Sequence, residues 1–106
     1  MAINISDKKE LNEKIKDNEF VFLDFFASWC GPCISFSPIY EKISSEFSDK
    51  AVFLKINIDE QRDLAIEYRI SSIPTILCLK KGIVFWTHTG GIPENNFREK
   101  VTQILS

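Results

Sequence analysis

The run FVFLDFFA at residues 20–27 is the feature that most constrains the fold. A near-continuous apolar segment of this length is typical of a β-strand covered on both faces. A second such run, AVFLKINI, occupies residues 51–58. Since both strands need cover on both faces, we expect helices to lie on each side of a sheet.

Helical periodicity and capping residues separate these strands. The pattern predicts a strand at 2–5, a helix capped by Ser6 or Asp7 to about residue 16, a helix at 33–47 with a kink at Pro38, and a helix capped by Asp59 to about residue 68. Strands at 75–80 and 83–88 are joined by a Lys81-Gly82 turn, and Pro93 opens the last helix. The order β-α-β-α-β-α-β-β-α predicts an α/β fold with a mixed sheet between two helical layers.

Length and composition restrict the classes of protein to consider. The chain has 106 residues, 44% of them hydrophobic and 26% charged, and a net charge of -2. These values favour one globular domain over residues 1–106 and argue against a nucleic-acid partner. No segment resembles a signal peptide or a membrane span, so we expect a cytoplasmic protein with no membrane partner.

Three cysteines stand at positions 30, 33 and 78, too few for a disulfide scaffold in a small secreted domain. Cys30 and Cys33 lie where a buried strand meets a helix, and the free N–H groups and dipole of a helix start favour a thiolate. We expect Cys30 to be the more exposed thiol and Cys33 to be shielded in the first turn. Gly31 permits close approach of another chain, and Pro32 has a helix-compatible φ.

The chain resembles the thioredoxin family along essentially its whole length. WCGPC at 29–33 is similar to the family's active-site motif, and Asp24 is similar to its buried acid. The other matching residues are Pro38, Lys55, the Ile73-Pro74-Thr75 loop whose proline is cis in the family, Gly82 and Gly90. The resemblance implies a thioredoxin fold with about five strands and four helices, and a protein-disulfide reductase that uses a Cys30–Cys33 redox disulfide.

The resemblance also implies a division of roles. Cys30 is expected to attack a client disulfide, and Cys33 to resolve the mixed disulfide. Asp24, six residues before Cys30 on the buried strand, is placed to accept the Cys33 proton directly or through one water. Burial should raise the pKa of Asp24, with Lys55 opposing that rise.

The implied docking surface and partners follow from the family. The surface comprises Trp29, Gly31, Pro32, Ile73, Pro74, Gly90 and Gly91, with the Ile73 backbone pairing with the client. The implied partners are a flavoprotein thioredoxin reductase that uses NADPH, and clients such as peroxiredoxins, methionine sulfoxide reductase or ribonucleotide reductase. The domain itself is expected to be a monomer with no bound cofactor or metal.

Three positions depart from the commonest family pattern: Phe26 replaces tryptophan, Ile34 replaces lysine, and Gly91 replaces alanine. Ile34 removes a positive charge beside the cysteines, so the clients and the thiolate stabilisation at Cys30 can differ from those of other members.

Other interpretations remain open from the residues alone. The pair could form disulfides rather than reduce them, or the fold could be a redox-independent subunit of a complex. Cys30 and Cys33 could instead hold zinc or an iron–sulfur cluster. Cys78 and His88 complete a Cys3His set, although the spacing is unlike that of zinc fingers. We interpret Cys78 as a core residue, and Trp86 and His88 as surface-strand residues.

Overall fold

A computed structural model describes all 106 residues. The elements are β1 (Ile3–Asn4), α1 (Lys8–Asp17), β2 (Phe20–Phe26), α2 (Gly31–Glu46), β3 (Val52–Asn57), α3 (Arg62–Glu67), β4 (Thr75–Lys80), β5 (Ile83–Thr89) and α4 (Glu94–Leu105). The strands form one sheet in the order β1-β3-β2-β4-β5. The pairs β1–β3 and β2–β3 are parallel, whereas β4 is antiparallel to both β2 and β5. The predicted element order and mixed sheet are confirmed. No helix is both long and apolar enough to cross a membrane.

The central strand β2 carries core residues on both faces, as its sequence predicts. Leu23 and Phe25 pack in a cluster with Leu11 of α1 and Leu64 of α3. Phe22 lies on the opposite face, in a second cluster that includes side chains of α2 and α4. Because side chains alternate along a strand, Asp24 shares the face of Phe22 and lies beneath α2.

Two helix starts show how local hydrogen bonds set the boundaries. Asp7 caps α1 as predicted, since its Oδ1 accepts a hydrogen bond of 2.8 Å from the Glu10 backbone N–H. Asp59 was expected to cap the third helix, and this prediction is wrong because α3 begins at Arg62, after Gln61. The Asn57 Oδ1 instead accepts from the Asp59 N–H at 2.9 Å and holds a turn before the helix.

The hairpin between β4 and β5 turns at Lys81 and Gly82, as predicted. Their φ angles are 52° and 81°, so both residues are left-handed. Successive positive φ angles match the right-handed twist of the flanking strands, which explains the glycine at the second position.

Candidate active site

The cysteine pair stands at the carboxyl end of β2, where α2 begins. Cys30 is the N-cap of α2, which begins at Gly31, two residues before the predicted start at residue 33, and Cys33 lies in the first turn. The two residues form a disulfide, with Cα atoms 5.2 Å apart. The Cys30 Sγ accepts a hydrogen bond of 3.2 Å from the Cys33 backbone N–H. A free N–H of the helix start is therefore directed at the Cys30 sulfur.

The expected difference in exposure between the two cysteines is wrong for this disulfide form. The exposed fractions are 5% for Cys30 and 4% for Cys33. Cys30 is covered because it packs with Cys33 and Ala27 in a small cluster, against the half-buried Ile73. The neighbours of the two cysteines in the chain are exposed instead: Trp29 has 68% of its surface accessible, and Gly31 and Pro32 are also exposed.

Asp24 is buried inside the protein, with 1% of its surface exposed. It lies between Lys55 on β3 and Ile76 on β4 in the sheet register. Its Oδ1 is the one buried side-chain oxygen or nitrogen of the protein with no hydrogen-bond partner. Burial raises the pKa of Asp24 to about 7, while the positive charge of Lys55 acts in the opposite direction.

A cavity of about 300 Å³ brings the buried acid and the second cysteine together. It is lined by Asp24, Phe26, Ala27, Ser28, Cys33, Ile34, Ser37, Pro38 and Lys55. Asp24 forms part of its wall from β2, and Cys33 from α2. The cavity is thus a place where a proton could pass between a carboxyl and a thiol, directly or through a water.

Lys55 is half-buried and faces the same cavity. Its Nζ donates a hydrogen bond of 2.9 Å to the Ser37 Oγ and lies 4.9 Å from the centre of the Phe26 ring. Sequence reasoning identified Lys55 but missed Ser37. The available signal was spacing, because Ser37 follows Cys33 by four residues and so shares its helix face.

The Trp29 indole is held by Asp59, which the sequence analysis predicted to be a helix cap. Its Nε1 donates a hydrogen bond of 2.8 Å to the Asp59 Oδ2. Asp59 comes from the turn that follows β3, 30 residues further along the chain. This contact orients an exposed aromatic ring beside the disulfide.

Two loops complete the surroundings of the disulfide. The Ile73-Pro74 peptide bond is cis, as the family resemblance predicts, and the Ile73 carbonyl oxygen lies 3.9 Å from the Cys30 Sγ. The Gly90 N–H donates a hydrogen bond of 2.7 Å to the Pro74 carbonyl oxygen. Gly90 has a φ of 91°, a conformation that favours glycine.

The last loop also approaches the helix that carries the cysteines. Pro32 and Gly91 line one shallow groove, together with Ile92 and Pro93. His88 Nε2 lies 3.3 Å from the Gly91 carbonyl oxygen. These contacts connect the two loops to the segment that carries the disulfide, and Gly31 is exposed within that segment. The docking of a client on these residues stays a prediction.

The side chains proposed for a Cys3His set do not meet. Cys78 is fully buried in the cluster under α2 and α4, and burial raises its pKa to about 12. His88 stacks on Trp86, with ring centres 5.9 Å apart. No group of three or more histidine, cysteine, aspartate or glutamate side chains converges on one point.

A cysteine pair at a helix start, beside a cis-proline loop on a mixed five-stranded sheet, defines a thiol–disulfide oxidoreductase. The family model described as Thioredoxin matches residues 2–103. The chain belongs to the thioredoxin family and is a dithiol–disulfide reductase.

Individual relatives cover nearly the whole chain. The thioredoxin of Mycoplasma pneumoniae is 40% identical over 106 residues, which are 100% of this chain and 99% of that protein. The crystal structure of Malassezia sympodialis thioredoxin has a TM-score of 0.91 at 32% identity, covering 100% of this chain and 92% of that one. A structure from work on thiol resolution in a yeast mitochondrial 1-Cys peroxiredoxin via the glutathione and thioredoxin systems has a TM-score of 0.85 at 25% identity, covering 96% and 94%.

Proposed function

We propose that Cys30 is the attacking thiol and Cys33 the resolving thiol in the reduction of protein disulfides. The Cys30 thiolate attacks one sulfur of a client disulfide, forming a mixed disulfide and releasing the other client sulfur as a thiolate. Cys33, as a thiolate, then attacks the Cys30 sulfur, closes the Cys30–Cys33 disulfide and releases the second client thiolate. Two electrons pass from the dithiol to the client. The position of the Cys30 sulfur at the start of α2 supports this assignment, because the hydrogen bond from the Cys33 N–H stabilises negative charge there.

In this proposal Asp24 accepts the Cys33 proton as the second step begins. The single observation that carries the proposal is the shared cavity. Asp24, a buried carboxyl with one oxygen that lacks a hydrogen-bond partner, and Cys33 both line it. A pKa of about 7 keeps both forms of Asp24 populated near neutral pH, which suits a group that accepts and returns a proton. Lys55 would limit the rise of that pKa and keep part of the carboxyl ionised.

The client is proposed to bind across the residues around the disulfide. Trp29, Gly31 and Pro32 would contact it from the side of α2, and Gly90 and Gly91 from the opposite loop. The Ile73-Pro74 segment would pair with an extended client chain through the Ile73 backbone. Main-chain pairing places few demands on the client's sequence, which suits a reductase with many substrates.

We further propose that a flavoprotein thioredoxin reductase recycles the disulfide with electrons from NADPH, in the cytoplasm, and that the chain acts as a monomer. Peroxiredoxins are proposed as clients, supported by the structural neighbour from the peroxiredoxin work. Methionine sulfoxide reductase and ribonucleotide reductase are proposed from the family alone.

The experiment is insulin-disulfide reduction coupled to NADPH and a thioredoxin reductase. We expect NADPH oxidation with the unaltered protein and none with Cys30→Ser. Cys78→Ala is the matched control, since it changes the third cysteine, which is buried in a different cluster from the disulfide, and it should retain the activity. NADPH oxidation that persists in Cys30→Ser would refute the proposed role of Cys30.

A further inference from the structure

The Lys55 ammonium does not contact the carboxylate that faces it. Asp24 and Lys55 are register partners on β2 and β3, yet they form no ion pair. The Lys55 Nζ instead donates to the Ser37 Oγ at 2.9 Å and lies over the Phe26 ring. A neutral hydroxyl therefore holds the cation that a neighbouring carboxylate would otherwise attract.

Ser37 is placed to exert this control. It lies one helical turn after Cys33 on α2, and its side chain lines the cavity that Asp24, Cys33 and Lys55 share. The Asp24 Oδ1 has no hydrogen-bond partner, and Asp24 lines this cavity. If the ammonium bound that oxygen, the carboxylate would be neutralised by an ion pair and would be a weaker proton acceptor.

We infer that Ser37 is a positioning residue, whose hydroxyl holds the Lys55 ammonium near Asp24 but out of direct contact, leaving the carboxyl free to exchange a proton with Cys33. This inference rests on the proposed role of Asp24 in the resolving step. Ser37 itself exchanges no proton with the thiol and acts only through Lys55.

The groups around Asp24 allow the effect to be isolated. Lys55 faces it from β3, Tyr40 faces it from α2, and the partner on β4 is the apolar Ile76. Cys33, also on α2, does not titrate while it is in the disulfide. In the disulfide form, the balance between burial and Lys55 therefore determines the pKa of Asp24.

The test is a carbon-13 NMR titration of the Asp24 carboxyl in the disulfide form of Ser37→Ala. Alanine suits a helix, so this variant should fold. In this variant the Phe26 ring still holds the Lys55 ammonium in the cavity. Without the Ser37 hydroxyl, the Asp24 carboxylate becomes the strongest hydrogen-bond acceptor for that ammonium. We expect the pKa of Asp24 to fall by about one pH unit relative to the unaltered protein.

Three further variants show whether the shift acts through Lys55. Ser37→Thr retains a hydroxyl and should restore the original titration. Ser35→Ala, which removes an exposed serine from the same helix, should leave the titration unchanged. In a Lys55→Met background, Ser37→Ala should produce no further shift.

Either of two results would overturn the inference. The first is a pKa of Asp24 that stays the same or rises in Ser37→Ala. The second is a fall of equal size in the Lys55→Met background, which would mean that Ser37 acts on Asp24 without Lys55. Since the titration uses the disulfide form, its result does not depend on whether Asp24 accepts the Cys33 proton. The kinetics of Asp24→Asn test that proton transfer separately.

Discussion

Asp24 and Cys33 reach one cavity from two different elements, the middle of β2 and the first turn of α2. Asp24 is the only charged residue in the buried part of its strand, and its neighbours on both adjacent strands leave one oxygen without a partner. A carboxylate in this position is unfavourable for folding, because burial penalises its charge. The proposed role of Asp24 as the acceptor of the Cys33 proton would account for a charge at this position.

The first prediction concerns the resolving step. Asp24→Asn should leave the attack of Cys30 on a client nearly unchanged, because the cavity that Asp24 lines includes Cys33 but not Cys30. Decay of the mixed disulfide should slow by about 100-fold near neutral pH, the usual contribution of a positioned base. Rapid-mixing measurement of Trp29 fluorescence would separate the two steps, with Asp49→Asn, an exposed acid beyond the end of α2, as the control. An unchanged decay rate would remove Asp24 from the mechanism.

The second prediction concerns stability and pH. The pKa of Asp24 is about 7 in the folded protein and near 3.8 when the group is exposed. The folded state therefore binds more protons between these values, so the free energy of unfolding should fall as pH rises from about 4 to 7. Asp24→Asn removes this loss and should be more stable than the unaltered protein by up to roughly 4 kcal/mol at pH 8, with a much smaller difference near pH 4. Urea unfolding of the disulfide form at both pH values tests this, and equal differences would contradict it.

The third prediction concerns a hydrogen bond beneath the site. The Tyr40 hydroxyl donates to the Leu54 carbonyl oxygen at 2.9 Å and is completely buried. Tyr40→Phe should lower the free energy of unfolding by about 1–2 kcal/mol, since it removes the donor and leaves a buried acceptor. Tyr68→Phe, at a half-buried tyrosine whose hydroxyl has no protein partner, should cost less than about 0.5 kcal/mol. Equal losses in the two variants would show that the Tyr40 hydrogen bond is unimportant.

The fourth prediction concerns the Trp29 indole. Asp59→Ala removes the acceptor of its 2.8 Å hydrogen bond. Loss of one such contact should lower kcat/KM for a protein disulfide by about fivefold, because the ring is no longer held where the client binds. Reduction of a small aromatic disulfide, which needs little docking surface, should change less. Glu60→Ala is the matched control, and an equal effect of the two variants on the protein client would contradict the role given to Asp59.

The element order was predictable from the sequence because it depends on local pattern, whereas the docking residues came from the family resemblance. The alternation of apolar strands with amphipathic helices specified the mixed sheet, and the WCGPC motif located the disulfide. The charge within an apolar run was enough to predict that Asp24 is buried. The cis state of Ile73-Pro74 was predictable only from family resemblance, since most such bonds are trans.

The remaining features depend on side-chain contacts that the sequence does not encode locally. Asp59 has the residue type of a helix cap, but its own backbone N–H donates to the Asn57 Oδ1 and its carboxylate accepts from the Trp29 indole. Likewise, nothing in the sequence around Ser37 distinguishes it from other helical serines, because its contact with Lys55 forms only when β3 packs beside α2. Such contacts arise between residues distant in the chain, and their geometry follows only from the assembled fold.

The central claim is that the two cysteines have different tasks, and trapping the mixed disulfide tests it most directly. Cys33→Ser should attack a client disulfide and stop there, so intact mass spectrometry should detect one client chain joined to Cys30. Cys30→Ser should form no such adduct under the same conditions. An adduct formed by Cys30→Ser, or the absence of one in Cys33→Ser, would contradict the assignment of Cys30 as the attacking thiol and Cys33 as the resolving thiol.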